Sequence, residues 1–307
     1  MVVHMIYDFT FLYYKYKFAI KNGNLKRLTC AVDWKGSVIE KDISIVYYCI
    51  REIEQQRREL EQQGYSVVSS VCFDMPSTRK DLDGGEEYKA GRTNKLEQED
   101  FDNIQFIEKI LSEAGHNTYR YDGYEADDLV TYLATNYKDI FDFTIIYTPD
   151  KDLFVNIDKK VGIKRHKVGQ GYFGVTTNNY SQYLSDEFGC TIPYNSILLF
   201  LCTVGDKADH VKGINKFGPK AFDKLVKNLD TKEIDWNKCN DAKYLEDEVL
   251  QAATEFLKPE QAQEMINSYM LIKPKEVEVI LHAPDSKVTY EKRMEAYGKY
   301  NFTSLLQ

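Results

Sequence analysis

Apolar residues along this chain follow two alternating rhythms. Residues 2–7 are almost continuously apolar and end at Asp8; residues 67–73 end the same way at Asp74, and 143–149 at Asp150. Short apolar runs of this kind predict buried strands. Between them the spacing turns helical. Ile43, Val46, Tyr47, Ile50, Ile53 and Leu60 share one side of a helix over 43–63, and Phe101, Ile104, Ile107 and Leu111 one side of a helix over 96–114. A short strand near Thr118–Tyr121 precedes another apolar-periodic run at Leu129–Leu133. Strands separated by helices predict βαβ units and a parallel sheet, at whose carboxyl edge functional groups gather.

The fold class expected is therefore α/β: a parallel-containing central sheet flanked by helices. Residues 75–95, polar and charge-rich, interrupt the pattern as a mobile surface segment. The basic stretch Lys159–Lys167 reads as an edge strand with a solvated face. Helical spacing returns over 180–189, 193–204 and 245–270, with no internal repeat.

Composition alters this picture little. With 307 residues, 43% hydrophobic and 29% charged, the chain has an ordinary globular balance. Its apolar runs are too short to span a bilayer, and residues 1–20 lack a signal-peptide layout, Lys15 and Lys17 interrupting the apolar start. Six scattered cysteines without a CxxC pair point to reduced thiols in a cytoplasm and argue against structural zinc. The net charge of −8 opposes a polyanionic substrate only weakly, because nine carboxylates are candidate metal ligands or their neighbours.

The chemistry centres on Gly123-Tyr124-Glu125-Ala126-Asp127-Asp128, three carboxylates within four residues ahead of a helix. Capping and the helix dipole explain one or two such acids. A third repels its neighbours unless a cation lies between them. Asp8, Asp74 and Asp150 add an acid at the end of each of three strands, Asp152 follows closely, and Asp206 and Asp209 come later. An all-oxygen set favours hard cations, Mg²⁺ or Mn²⁺. An excess of acids points to two ions, the arrangement, about 3.5–4 Å apart, used for in-line phosphoryl displacement. Lys89 and Arg92 are candidates to steer a phosphodiester and stabilise transition-state charge, and Tyr88 to stack on a base. A glycine-punctuated loop over 205–218 opens a helix bearing Lys220, Lys224 and Lys227, a ready anion site. The five histidines are dispersed and read as structural or surface residues.

These fragments resemble the 5′-nuclease or flap-endonuclease superfamily over roughly residues 5–228, with the nearest likeness to phage 5′→3′ exonucleases and the 5′-nuclease domain of bacterial DNA polymerase I. Gly123–Asp128 resembles the family's G-x-E-A-D-D, Tyr88–Arg92 its Y-K-x-x-R, Asp150–Leu153 its D-K-D-L, and Gly205-Asp206 through Asp209 with Gly218-Pro219-Lys220 its G-D-x-x-D-N and helix-hairpin elements. The resemblance implies Asp8, Asp74, Glu125 and Asp127 around one Mg²⁺ and Asp128, Asp150, Asp152, Asp206 and Asp209 around a second, with Mn²⁺ as substitute. It implies a nuclease core over 1–180 with a helical arch at 75–105, then a helical DNA-binding region over 181–307. Within that region, 205–228 would grip duplex backbone through Lys212, Gly213, Lys216, Gly218 and Lys220. The chain departs from the pattern at Phe9-Thr10, Pro149 and His210, and Lys216 stands at a hairpin glycine position. A side chain adopts positive φ there only at a cost, which counts against a monovalent-cation loop.

The function expected is a metal-dependent 5′→3′ exonuclease or flap endonuclease acting on flapped, nicked or RNA-primed DNA, in phage or bacterial replication. It would be a stand-alone, monomeric, cytoplasmic enzyme, with a replication clamp or single-strand-binding protein as possible partner. An RNA-directed nuclease on a related fold and a non-catalytic structure-specific DNA binder are the alternatives.

Overall fold

The computed structural model describes residues 1–34, 36–76, 96–167, 171–285 and 288–306. They fall into two compact units. The first holds Met1–Met75, residues 96–147 and 277–306; the second holds Thr148–Glu276.

In the first unit, β1 (Val2–Asp8) lies between β4 (Ser66–Cys72) and β6 (Phe143–Tyr147), and β5 (Asn117–Tyr119) flanks β4, all parallel. Six of the seven β1 residues are buried, as expected of a central strand covered on both faces. Asp8 is level with Cys72, and Tyr7 with both Val71 and Tyr147, so the three strands expected from the apolar runs end together. Helices α1 (Phe9–Lys21), α2 (Ser44–Gln62), α3 (Gln98–Glu113) and α4 (Ala126–Asn136) complete this layer arrangement. The parallel sheet and its helices match the expected fold class.

Among the elements that the pattern does not predict are α1 and an antiparallel hairpin of β2 (Thr29–Trp34) and β3 (Ser37–Asp42). The lysines that break the apolar pattern of α1 are paired across the fold, Lys15 with Glu52 at 2.8 Å and Lys17 with Asp100 at 2.5 Å. The same pairing corrects the reading of α3. Phe101, expected inside, is 42% exposed, because Asp100 takes the buried first-turn position and accepts from the Tyr13 hydroxyl at 2.9 Å.

In the second unit, β7 (Val161–Lys167) pairs antiparallel with β8 (Gly171–Val175). The expected edge strand is thus bonded on both sides, since Thr148 N–H also donates to the Lys164 carbonyl at 3.4 Å. Helices α5 (Tyr180–Phe188), α6 (Ile197–Val204) and α7 (Pro219–Asp230) follow. Seven of the eight α6 residues are buried. The expected helix over 245–270 is divided: a π turn spans Leu245–Leu250, and a new helix begins at Pro259, which lacks the N–H needed to continue the old one. Among the described residues no helix is long and apolar enough to cross a membrane.

Residues 277–285 and 288–306 return to the first unit. Tyr297 and Arg293 reach Glu54 of α2, and Tyr300 packs edge-on against Phe106 of α3.

Candidate metal centre

The first unit collects five of the nine acids. Asp8 is the last residue of β1, and Asp74 follows β4 by two residues. Glu125 is the N-cap of α4 and forms a reciprocal capping box with Asp128, whose carboxylate accepts from Glu125 N–H at 3.0 Å. Asp74 accepts from Ala126 N–H at 2.7 Å, tying the end of β4 to the start of α4. The dipole explanation therefore holds for part of the acidic stretch, and Asp127 is left as the half-buried acid of that turn. Burial pushes the Cys72 thiol up, and the charges of Asp8, Asp127 and Asp74 raise it further. Cys72 had no signal in the sequence beyond its place at a strand end.

The second unit collects the other four. Asp150 and Asp152 sit at the entry to a 3₁₀ turn (Asp152–Asn156), and Asp150 accepts from Asp152 N–H at 3.2 Å. Asp206 and Asp209 are 3% and 5% exposed in the loop after α6. The Asp152 carboxyl is held well above the usual range, first by burial and then by Asp150, Asp209 and Asp206. Lys151 opposes them, its ammonium 2.7 Å from Asp206. One oxygen of Asp152 is buried without a hydrogen-bond partner. An unpartnered carboxylate oxygen among further acids suits a cation, and all-oxygen donors suit a hard one.

Among the described residues, no three His, Cys, Asp or Glu side chains close tightly enough to hold an ion by themselves. That is compatible with Mg²⁺, which keeps several waters and takes only one or two carboxylates directly.

The 205–218 loop is a tight hairpin in which Asp206 and Val211 exchange both backbone hydrogen bonds at 2.8 Å. A side chain on Gly213 (φ 63°) would stand 2.7 Å from the Thr203 carbonyl, so only glycine fits. His210 and Lys216 adopt φ of 61° and 59°; the side chain at the expected glycine position is accommodated in the left-handed region. Lys212, Lys216 and Lys220 are exposed, and Gly218 caps α7 with Pro219 at its first position. Tyr88, Lys89, Arg92 and most of the expected arch lie outside the described residues.

Of the histidines, His4 and His116 are buried structural groups, bonded to Ser70 and to Ser69 and Glu54.

The chain is 34% identical over 157 residues to DNA polymerase I of Streptococcus pneumoniae, covering 51% of this chain and 17% of that protein. It is 29% identical over 163 residues to a 5′-3′ exonuclease of Aquifex aeolicus, covering 53% of each. It thus spans about half the length of that exonuclease relative and a small part of the polymerase. The structure of T5 5′-exonuclease with bound zinc superposes with a TM-score of 0.55 at 14% identity, over 99% of this chain and 95% of that one. A bacteriophage T5 flap endonuclease complexed with DNA and metal ions gives the same TM-score at 13% identity, over 99% and 96%. At such identities the likeness shows the fold. The family described as 5′-3′ exonuclease, N-terminal resolvase-like domain, matches residues 5–184, more than half of the sequence. This chain belongs to the 5′-3′ exonuclease family.

Proposed function

We propose that the protein is a divalent-metal-dependent 5′ nuclease that hydrolyses phosphodiester bonds at 5′ flaps, nicks and RNA primers, by a two-ion mechanism with Mg²⁺ as the ordinary metal. Family membership supports the reaction class. The observation that carries the metal dependence is the buried, unpartnered oxygen of Asp152 among Asp150, Asp206 and Asp209. Asp8, Asp74, Glu125 and Asp127 would hold one ion, and Asp150, Asp152, Asp206 and Asp209 the other. Asp128, 1% exposed and engaged in capping, serves the first group by fixing the α4 turn.

Bound divalent ions supply Lewis-acid chemistry, activating water and stabilising charge on the departing oxygen. The chain's own part is positioning. Asp74 is held by Ala126 N–H, and Asp150 by Asp152 N–H. Exposed Lys212, Lys216 and Lys220 present positive charge to duplex phosphates beside the N-terminus of α7. Lys89 and Arg92 are assigned to the scissile phosphate and Tyr88 to base stacking. RNA–DNA hybrids, a clamp or single-strand-binding protein, and action as a cytoplasmic monomer belong to the same proposal.

The test is incubation with a 5′-flap DNA and Mg²⁺. Cleavage to 5′-phosphate ends, abolished by EDTA and reduced at least a hundredfold in Asp127→Ala, is expected. Undiminished cleavage by that variant would refute the assignment, and binding without turnover would favour a non-catalytic DNA binder.

A further inference from the structure

The C-terminal segment gives the first acid group a support outside the span that the family match covers. Three tyrosines grip residues 278–282. The Tyr119 hydroxyl donates to the His282 carbonyl at 3.1 Å, and the rings of the same two residues stack 4.7 Å apart. Tyr137 donates to the Leu281 carbonyl at 2.5 Å. Tyr124, inside the acidic motif, accepts from Glu278 N–H at 3.1 Å.

Tyr124 is also where the motif meets the end of β4. Its carbonyl accepts from Met75 N–H at 3.1 Å, next to Asp74, and Asp74 in turn accepts from Ala126 N–H. The phenol is 8% exposed and its neighbour Glu125 likewise. Leu281 is fully buried. Further on, the helix Tyr290–Lys299 is anchored by Tyr297 and Arg293 on the buried carboxylate of Glu54, at 2.7 and 3.2 Å.

We infer that residues 277–285 are a strap that fixes the metal-binding motif, and that Tyr124 is a positioning residue for Asp74, Glu125 and Asp127, acting through its hydrogen bond from Glu278. The physical argument is preorganisation. Like-charged carboxylates drift apart unless their backbones are held, and a cation then has to gather them at the expense of its binding free energy. A hydroxyl that fixes the turn between two of the acids removes that expense. The inference rests on the nuclease reading only in assigning these acids to a metal.

The test measures Mn²⁺ itself by electron paramagnetic resonance on the full chain, alongside thermal melting in EDTA. Tyr124→Phe removes only the hydroxyl, and Glu278→Pro removes the N–H that it accepts together with the exposed Glu278 carboxylate. Each is expected to weaken Mn²⁺ binding about five- to tenfold, and the double variant no more than the weaker single one, as for two ends of one contact. In turnover, the Mg²⁺ concentration for half-maximal rate rises by more than the saturated rate falls. Wild-type Mn²⁺ affinity in Tyr124→Phe, or additive losses in the double variant, would overturn the inference. If Glu278→Pro fails to fold, Tyr124→Phe alone decides. Loss of Mn²⁺ affinity in a protein that cuts no flap DNA would sink the nuclease reading and leave the strap standing; flap cleavage with unchanged Mn²⁺ affinity would do the reverse.

Discussion

At the scale of single residues, charge balance inside the second acid group decides what each substitution does. Asp152 is half-buried with one oxygen buried and unpartnered, and Asp150, Asp209 and Asp206 add to burial in raising its carboxyl. Asp152→Asn removes repulsion and keeps the shape, so the metal-free protein should become more stable while Mn²⁺ binding and cleavage collapse. A gain near 1 kcal/mol would raise the melting temperature by about 2–4 °C. Lys151 predicts the opposite sign. Its ammonium neutralises Asp206, so Lys151→Met should lower the melting temperature in EDTA. That loss should vanish in excess Mg²⁺, because a bound cation takes over the neutralisation. Melting curves of both variants with and without Mg²⁺ check the pair; equal shifts in the two buffers would separate these residues from cation binding. Asp8, Asp74 and Asp150 stand out in the sequence because each follows an apolar run, and Glu125, Asp127 and Asp128 because they open a helix, whereas Asp206 and Asp209 lie in a loop after α6. Lys151 was visible too, but its pairing with Asp206, 55 positions along, was not.

At the scale of elements, the hairpin after α6 and the start of α7 form one backbone device. Lys216 occupies the left-handed region at φ 59°, which costs a non-glycine residue about 1–2 kcal/mol. Lys216→Gly should therefore stabilise the protein by an amount of that order and weaken duplex DNA binding, since it removes an exposed positive charge. Lys220→Ala should weaken binding across all sequences and reduce the slope of log affinity against log salt by about 0.9. Titrations at several salt concentrations give both numbers, and an unchanged slope would exclude these lysines from phosphate contact. The glycine pattern announced this loop, yet the register of its bridge between Asp206 and Val211 follows from packing on α6. The expected helices over 43–63 and 96–114 match α2 and α3 to within two residues at each end, whereas α1 has no such signal. Apolar residues recur at helical spacing through most of α2 and α3, whereas the lysines of α1 find acids on those two helices that no local window contains.

At the scale of the whole molecule, acid sensitivity follows from two buried groups of the first unit. His4 lies in the central strand, hydrogen-bonded to Ser70, and burial pushes its pKa down to about 3 from 6.5. Between these values the unfolded chain binds a proton that the folded one refuses, so stability falls as pH drops through this window, by up to about 1.4 kcal/mol per pH unit. Burial alone would raise the Glu54 carboxyl, but its contacts with His116 and Arg57 hold it far below the carboxylate range. Its contribution is complete above about pH 4.5 and declines only in stronger acid. Denaturant melts of His4→Gln should thus lose the slope between pH 6.5 and 5 and keep the steep loss below 4.5. By itself the sequence determined the α/β class and the strands that run up to Asp8, Asp74 and Asp150, because local hydrophobic period is written along the chain. Tertiary structure alone decided which acids share a unit, that Asp128, expected beside the second ion, accepts from Glu125 N–H in a capping box, and that Glu278 comes back to Tyr124. Those outcomes depend on hydrogen bonds and charge pairs between positions far apart, whose closeness is a property of the packed chain.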